Sequence, residues 1–231
     1  EKELALQSDI DLVKPRVVSN PNLYFVDQVL EQIEKVYGKE FVHFGGLKIV
    51  TTLDTRYQKL AFKSARNHLE VLESRIVKER GAGPLQVALV AIENKSGAVR
   101  VMLGGKHYSY SQFNRAVSNN RLPGSSFKPF VYFTAMEELG YSPATVVVDE
   151  PLTIDIPGSV PWSPQNFDKE YAGNIVLKKA LMKSINIISS KLMNEVGPEK
   201  VIRTARKFGI KSPLGKNLSL ALGTSGLSPY E

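Results

Sequence analysis

The stretch RLPGSSFKPF, Arg121 to Phe130, places a serine and a lysine three residues apart where a helix is predicted to begin. If the helix starts at Ser125, then Ser125 and Lys128 are residues i and i+3 on one face. Helical side chains lean toward the N-terminus, which aims the lysine amine at the serine hydroxyl. Pro129 is compatible with this arrangement, because the first amide N–H groups of a helix have no intrahelical partner.

The position of the pair also affects its protonation. The partial positive charge of a helix N-terminus favours an alkoxide on Ser125 and disfavours an ammonium on Lys128, and burial lowers a lysine pKa in the same direction. A neutral lysine beside a serine is a general base beside a nucleophile. The alternative is a helix cap followed by a solvated lysine, and the pair alone does not exclude it.

A second polar motif, Ser184-Ile185-Asn186, lies between two predicted helical segments. Its hydroxyl can relay protons and its amide can hold a substrate peptide group. The alternative is a polar kink that joins two helices. Ser118-Asn119-Asn120 has the same spacing, but it lies in a polar loop directly before Ser125, and we do not assign it to the site.

The composition limits the possible classes of function. The 231 residues are 42% hydrophobic, which suits one large domain or two smaller ones, and the net charge of +7 indicates mainly a solvated basic surface. No nucleic-acid motif accompanies the charge, so we expect no nucleic-acid partner. The absence of cysteine excludes disulfides, cysteine nucleophiles and thiolate metal sites. We expect no metal and no cofactor. No run reaches the ~18 apolar residues of a membrane span, and no signal peptide is visible.

Hydrophobic periodicity and turn residues predict a mixed α and β chain with a break at Gly81–Pro84. The predicted helices are Phe25–Tyr37, a segment capped by Asp54 or Thr55, Phe127–Leu139, and segments that end at Gly197 and Gly209. The predicted strands are Leu47–Thr51, the hairpin strands Val87–Glu93 and Ala98–Leu103, and Leu152–Ile156.

The segment RLPGSSFKPFVY resembles the nucleophile segment of class A, high-molecular-mass penicillin-binding proteins, the bifunctional synthases of bacterial peptidoglycan. Further segments resemble the same family in the same order: YFVDQVLEQI, GGLKIVTTLD, QVALVAIENKSGAVRVMLGG, SQFNRAV, WSPQNFD, LMKSINI and NLSLALGTS. Class B relatives and β-lactamases share the S-x-x-K pattern but not GGLKIVTTLD or SQFNRAV. The resemblance therefore points to class A.

The resemblance implies an α/β fold of the penicillin-binding-protein and β-lactamase type, an antiparallel sheet flanked by helices, with a small α+β linker region. Residues 1–84 would form the interdomain linker and residues 85–231 the transpeptidase domain, incomplete at the C-terminus. The glycosyltransferase domain of the family would precede Glu1, and the K-[ST]-G motif would follow Glu231. Lys95-Ser96-Gly97 spells that motif, but it occupies the predicted hairpin turn.

The resemblance also implies a serine D,D-transpeptidase that crosslinks peptidoglycan stem peptides and is inhibited by β-lactams. Ser125 would attack the D-Ala-D-Ala carbonyl, Lys128 would accept its proton, and Ser184 would pass a proton to the leaving D-alanine. Asn186 would bind the donor peptide. The family segment that carries Trp162 and Asn166 would lie near the cleft and bind substrate, although core packing accounts better for the tryptophan alone.

The same resemblance places the protein at the extracytoplasmic face of the bacterial cytoplasmic membrane, anchored by a segment outside this chain. We expect the chain alone to acylate poorly, because the second oxyanion-hole donor would come from the strand with K-[ST]-G. Two alternatives remain open: a serine β-lactamase, and a non-catalytic peptidoglycan or β-lactam binder.

Overall fold

A computed structural model describes residues 20–80, 85–119 and 121–231. The chain divides into two compact units, one up to Asn114 and one from Arg115 onward. The predicted break at Gly81–Pro84 lies outside the described residues, as does the asparagine that ends the Ser118-Asn119-Asn120 pattern. The predicted boundary between a linker region, residues 1–84, and a transpeptidase domain, residues 85–231, stays a prediction.

The first unit combines helices with a β-hairpin. In chain order its elements are α1 (Leu23–Tyr37), α2 (Lys39–Phe44), α3 (Thr55–Arg80), β1 (Leu89–Ile92) and β2 (Val99–Leu103). The two strands pair antiparallel, with Leu89 opposite Leu103. The predicted first helix and hairpin are confirmed, and Lys95 is exposed in the hairpin turn.

Two polar side chains stabilise this unit. Asp54 caps α3, as predicted, because its Oδ1 accepts hydrogen bonds from the backbone N–H groups of Arg56 (2.9 Å) and Tyr57 (3.3 Å). Gln58 is fully buried between α3 and β2. Its amide donates to Met102 O (2.8 Å) and accepts from Met102 N (3.0 Å), so its polar atoms are satisfied.

The strand predicted at Leu47–Thr51 is wrong, because residues 46–54 form no strand. This segment does run beside β2, but side chains make most of its hydrogen bonds. Thr52 Oγ1 donates to Val99 O (2.8 Å), and the Arg100 guanidinium donates to Thr52 O (3.0 Å). Because these bonds replace main-chain pairing, no regular ladder forms.

The second unit contains the segment quoted above and is mainly helical. A 3-10 turn at Gly124–Phe127 leads into α4 (Lys128–Leu139). The remaining elements are β3 (Val146–Asp149), β4 (Gly173–Val176), α5 (Leu177–Met182), α6 (Asn186–Val196), α7 (Pro198–Lys207) and a second 3-10 turn at Leu218–Leu222. The two strands pair antiparallel, with Val146 opposite Val176.

The core of this unit lies where α4 packs against α6 and α7. Its members are buried side chains spaced three or four residues apart on each helix. They include Phe127, Val131, Ala135, Ile187, Ile188, Leu192, Val201 and Ala205. Burying each large aliphatic or aromatic side chain contributes about 1.5–3 kcal/mol, and this holds the ends of α4 and α6 in fixed positions.

The strand predicted at Leu152–Ile156 is also wrong. Ile154 forms only an isolated bridge with Trp162, through two hydrogen bonds of 2.9 Å. Prolines at positions 151 and 157 flank the segment and a third, at 161, precedes its bridge partner Trp162; a proline has no N–H for a ladder. The strand that forms instead is β3, and its run of three β-branched valines is typical of a strand.

Candidate active site

Ser125 lies in the 3-10 turn that precedes α4 and is exposed. Gly124 begins this turn with a φ of 56°, a conformation that glycine adopts without strain. Within the described part of the chain, the Ser125 hydroxyl has no hydrogen-bond partner. It lies at the N-terminal end of a helix, as predicted, but the predicted hydrogen bond to the Lys128 amine is not formed.

Lys128 is the first residue of α4 and is fully buried. Its Nζ donates to Ser184 O at 2.6 Å, to Asn186 Oδ1 at 2.7 Å and to Ser184 Oγ at 3.1 Å. Burial lowers the pKa of Lys128 from 10.5 to about 8. The amine thus points into the protein, toward the S-x-N motif, and hydrogen-bonds Ser184 rather than Ser125.

Ser184 joins α5 to α6 in a left-handed backbone conformation, with a φ of 55°. A non-glycine residue there costs about 1–3 kcal/mol, and such strain persists only where surrounding contacts hold it. Ser184 N donates to Leu181 O (2.9 Å), and Ser184 O accepts from Lys128. Both the carbonyl and the hydroxyl of Ser184 therefore face the buried amine.

Asn186 begins α6, and its amide is held at both ends. Its Nδ2 donates to Gln165 O (2.9 Å), which leaves Oδ1 to accept from Lys128 Nζ. This pair of bonds determines which way the amide is turned. The first turn of α6 and the segment that contains Gln165 together position the acceptor for the lysine.

Asn166 lies next to this network and is 7% exposed. Its Oδ1 accepts from the backbone N–H groups of Asn186 and Ile187, both at 3.1 Å. Its Nδ2 donates to the Asp149 carboxylate (3.0 and 3.1 Å) and to Glu170 O (2.9 Å). The amide is fully engaged within the protein, and substrate binding by Asn166 stays a prediction that these contacts do not favour.

Trp162 is half-buried and pairs with Ile154 through its backbone. Among the described residues it shares no hydrogen bond with the lysine network, so substrate binding by Trp162 also stays a prediction. A cavity of about 300 Å³ opens beside Ser184 and is lined in part by Asp168, Tyr171 and Lys183. This cavity is large enough to receive part of a peptide substrate.

The structure brings together three of the predicted residues, Lys128, Ser184 and Asn186, with Asn166 bonded to the helix that carries the last of them. The sequence reasoning missed Asp149 and the backbone role of Gln165. For Asp149 the available signal was a carboxylate directly after a β-branched run, but nothing in that pattern identifies its partner.

In the described ranges, no helix combines the length and the apolar character that a membrane span requires.

The family of the chain follows from comparison with known proteins. A family model described as the penicillin binding protein transpeptidase domain matches residues 87–226. The chain belongs to this family of transpeptidase domains. The fold that the sequence indicated is confirmed.

Curated relatives agree with this assignment. Penicillin-binding protein 1B of Vibrio cholerae is 30% identical over 233 residues, covering 100% of this chain and 29% of that protein. Penicillin-binding protein 2D of Bacillus subtilis is 35% identical over 214 residues, a match that covers 90% of this chain and 29% of that protein. Penicillin-binding protein 1A of Neisseria gonorrhoeae is 43% identical over 152 residues, covering 64% of the chain and 19% of that protein. The resemblance to class A proteins is confirmed, and the chain spans less than a third of these relatives.

Solved structures show the same fold. The crystal structure of penicillin-binding protein 1A from Haemophilus influenzae has a TM-score of 0.78 at 23% identity, covering 99% of this chain and 47% of that one. The PonA1 protein of Mycobacterium tuberculosis, in complex with penicillin V, has a TM-score of 0.74 at 26% identity. That match covers 91% of this chain and 56% of the other.

Proposed function

We propose that this chain carries the acylation site of a serine D,D-transpeptidase that crosslinks peptidoglycan stem peptides. The observation that carries the proposal is the buried Lys128 amine, hydrogen-bonded to Ser184 and Asn186 at the start of the helix that follows Ser125. A solvated lysine beside a helix cap, the alternative for the S-x-x-K pair, does not fit this geometry. Family membership supports the reaction class.

The protonation of Lys128 determines whether it can act as a base. An ammonium has three N–H donors, which match the three acceptors around Nζ. A neutral amine needs only two acceptors, and Ser184 O and Asn186 Oδ1 supply the two shorter bonds. Its lone pair is then free to accept a proton. A pKa of about 8 makes the neutral form accessible near neutral pH.

The reaction then proceeds through an acyl-enzyme. Ser125 Oγ forms a bond to the carbonyl carbon of the penultimate D-alanine as its proton passes to Lys128. The peptide C–N bond breaks, and the leaving D-alanine takes a proton through Ser184. An amine of a neighbouring stem peptide then attacks the ester carbonyl; the new C–N bond forms, the ester C–O bond breaks, and the amine proton passes to the Ser125 oxygen, which completes the crosslink. The N–H of Ser125, in the 3-10 turn that leads into α4, supplies one donor to the oxyanion.

A β-lactam would enter the same site, where Ser125 would attack the strained amide of the β-lactam ring and become acylated. The penicillin V complex of the PonA1 protein supports this part of the proposal. By the same family relationship we place the full-length protein in the cell envelope, acting at the extracytoplasmic face of the membrane.

Fluorescent penicillin tests the proposal in the full-length protein. We expect stable covalent labelling, lost in Ser125→Ala and retained in Ser126→Ala, which removes the neighbouring exposed hydroxyl as a matched control. A label that forms and is quickly released as hydrolysed drug would indicate a β-lactamase. Failure of the wild-type protein to take up label would reject acylation and favour a binding module.

A further inference from the structure

Asp149 is a nearly fully buried carboxylate beside the candidate active site. It ends β3, is 2% exposed, and accepts hydrogen bonds from Asn166 Nδ2 and from Ala172 N (2.9 Å). Lys191 on α6 donates instead to Val148 O and Glu150, and no ion pair reaches Asp149 among the described residues. Because burying a carboxylate is unfavourable unless it is well hydrogen-bonded, its place beside the site needs a reason.

The hydrogen bonds of Asp149 leave one orientation for the Asn166 amide. Its Nδ2 must face Asp149 and Glu170 O, since both are acceptors. Its Oδ1 therefore faces the opposite way, toward the N–H groups of Asn186 and Ile187. These groups belong to the first turn of α6 and have no intrahelical partner. Asp149 thus determines, through Asn166, how the start of α6 is capped.

The same contacts control the acceptor that faces Lys128. The Asn186 amide is oriented by Gln165 O, which belongs to the residue directly before Asn166. If Asn166 lost its orientation, both the backbone and the side chain of Asn186 would lose their anchors. Asn186 Oδ1 would then leave its position 2.7 Å from Lys128 Nζ.

We propose that Asp149 is a positioning residue for Lys128, acting through Asn166 and Asn186, and that Asn166 serves this chain of contacts rather than the substrate. The inference rests on the proposed function of Lys128 as the proton acceptor. An acceptor facing an ammonium favours the charged form, so displacing Asn186 Oδ1 lowers the pKa of Lys128. Tyr132 on α4 also interacts with Asp149. Burial and this carboxylate raise the pKa of the Tyr132 hydroxyl to about 12, so Tyr132 stays neutral while Lys128 titrates.

Asp149→Asn tests the proposal with almost no change in shape. It places an amide N–H against Asn166 Nδ2, so that two donors meet. Titration of Lys128, followed by NMR of its side-chain Cε–Hε signal in the 231-residue chain, should show a midpoint lower by about 0.5–1 pH unit. The signal is assigned by its loss in Lys128→Arg. In the full-length protein at pH 9, where the amine is mostly neutral in wild type and variant alike, penicillin acylation should slow by about tenfold or more because the amine is no longer held in position.

The double substitution Asp149→Asn with Asn166→Asp exchanges the two groups and restores a donor–acceptor pair between positions 149 and 166, while Glu170 O then faces a carboxylate oxygen and loses its donor. A carboxylate at position 166 can accept from Asn186 N and Ile187 N, while the new amide at position 149 donates to it. We expect the midpoint and the acylation rate to return toward wild type. Asp155→Asn, which changes an exposed carboxylate, should leave both unchanged.

The outcomes separate this inference from the proposed function. A wild-type protein that penicillin does not acylate would reject the proposed function, whereas the NMR titration needs no acylation and still decides the positioning role. A midpoint that stays in place or rises in Asp149→Asn would overturn the inference. So would a loss of rate in the folded variant without a change of midpoint.

Discussion

At the scale of the single residue, the proposed role of Lys128 as proton acceptor predicts that acylation depends on pH. Burial lowers its pKa to about 8, and only the neutral amine can take the Ser125 proton. The neutral fraction grows as pH rises through that value. We therefore expect the acylation rate of the full-length protein by a β-lactam to rise from pH 6 toward about 8 and then level off, measured by rapid mixing with a chromogenic substrate.

Lys128→Arg is the matched control, since a guanidinium stays charged over this range. It should acylate slowly at every pH, with no rising limb. A wild-type rate that is flat or falls between pH 6 and 9 would show that Lys128 is not the proton acceptor.

The conformation of Ser184 is the second feature of this scale. Its φ of 55° is unfavourable for a serine, yet it turns both oxygen atoms of the residue toward Lys128. Strained backbone at such a point is common in functional sites. The hydrogen bond from Lys128 to the Ser184 carbonyl is one of the contacts that hold it.

At the scale of the element, the 3-10 turn that carries Ser125 rests against the residue that ends the second 3-10 turn. Gly124 N donates to Gly223 O (3.3 Å), and both glycines have a positive φ. A Cβ on Gly223 would collide with the carbonyl oxygen of Gly124. This backbone contact fixes the position of the turn that carries Ser125 relative to the second 3-10 turn.

We expect Gly223→Ala to lower the free energy of unfolding by about 2–4 kcal/mol, from backbone strain together with overpacking. Penicillin acylation should slow as the turn with Ser125 is displaced. Gly140→Ala is the control, because Gly140 has a similar φ of 67° but nothing within 4 Å of its added Cβ. It should cost only about 1 kcal/mol. If urea denaturation gave equal losses of unfolding free energy in Gly223→Ala and Gly140→Ala, the collision with Gly124 would not be the cause.

At the scale of the whole molecule, Glu231 joins two segments of the second unit. Its carboxylate accepts from Lys211 N, Ser212 N and Ser212 Oγ, each at 2.7 Å, and from Ser228 N at 3.2 Å. Burial alone would raise the pKa of this carboxyl, but the hydrogen bonds outweigh it and hold the pKa at about 2. The ionised form is therefore stabilised by folding.

The sign of the pH effect follows from this lowered pKa. Glu231 contributes its full stability above the ordinary value of 4.5 and loses it as pH falls toward about 2. Glu231→Gln should lower the free energy of unfolding at pH 7 by about 1–3 kcal/mol. The difference from wild type should shrink between pH 4.5 and 3, measured by urea denaturation. A difference that is constant over this range would mean that the charge is unimportant.

Much of the site could be predicted because it depends on local sequence. The serine and lysine of S-x-x-K share one helical turn, and the S-x-N motif lies between two helices whose ends are marked by periodicity and glycine. The hairpin was predictable from alternation around a turn, and the cap of α3 from Asp54. Each of these features is decided by residues only a few positions apart.

The sequence by itself determined which groups of this protein are available for chemistry, and the tertiary structure decided which of them meet. Lys128 bonds Ser184 and Asn186 because α4 and α6 pack together in the core. Asn166 was placed with the substrate by resemblance, but its contacts are Asp149 and the start of α6. Those contacts join segments far apart in the chain, and short-range patterns carry no record of which distant segments pack together.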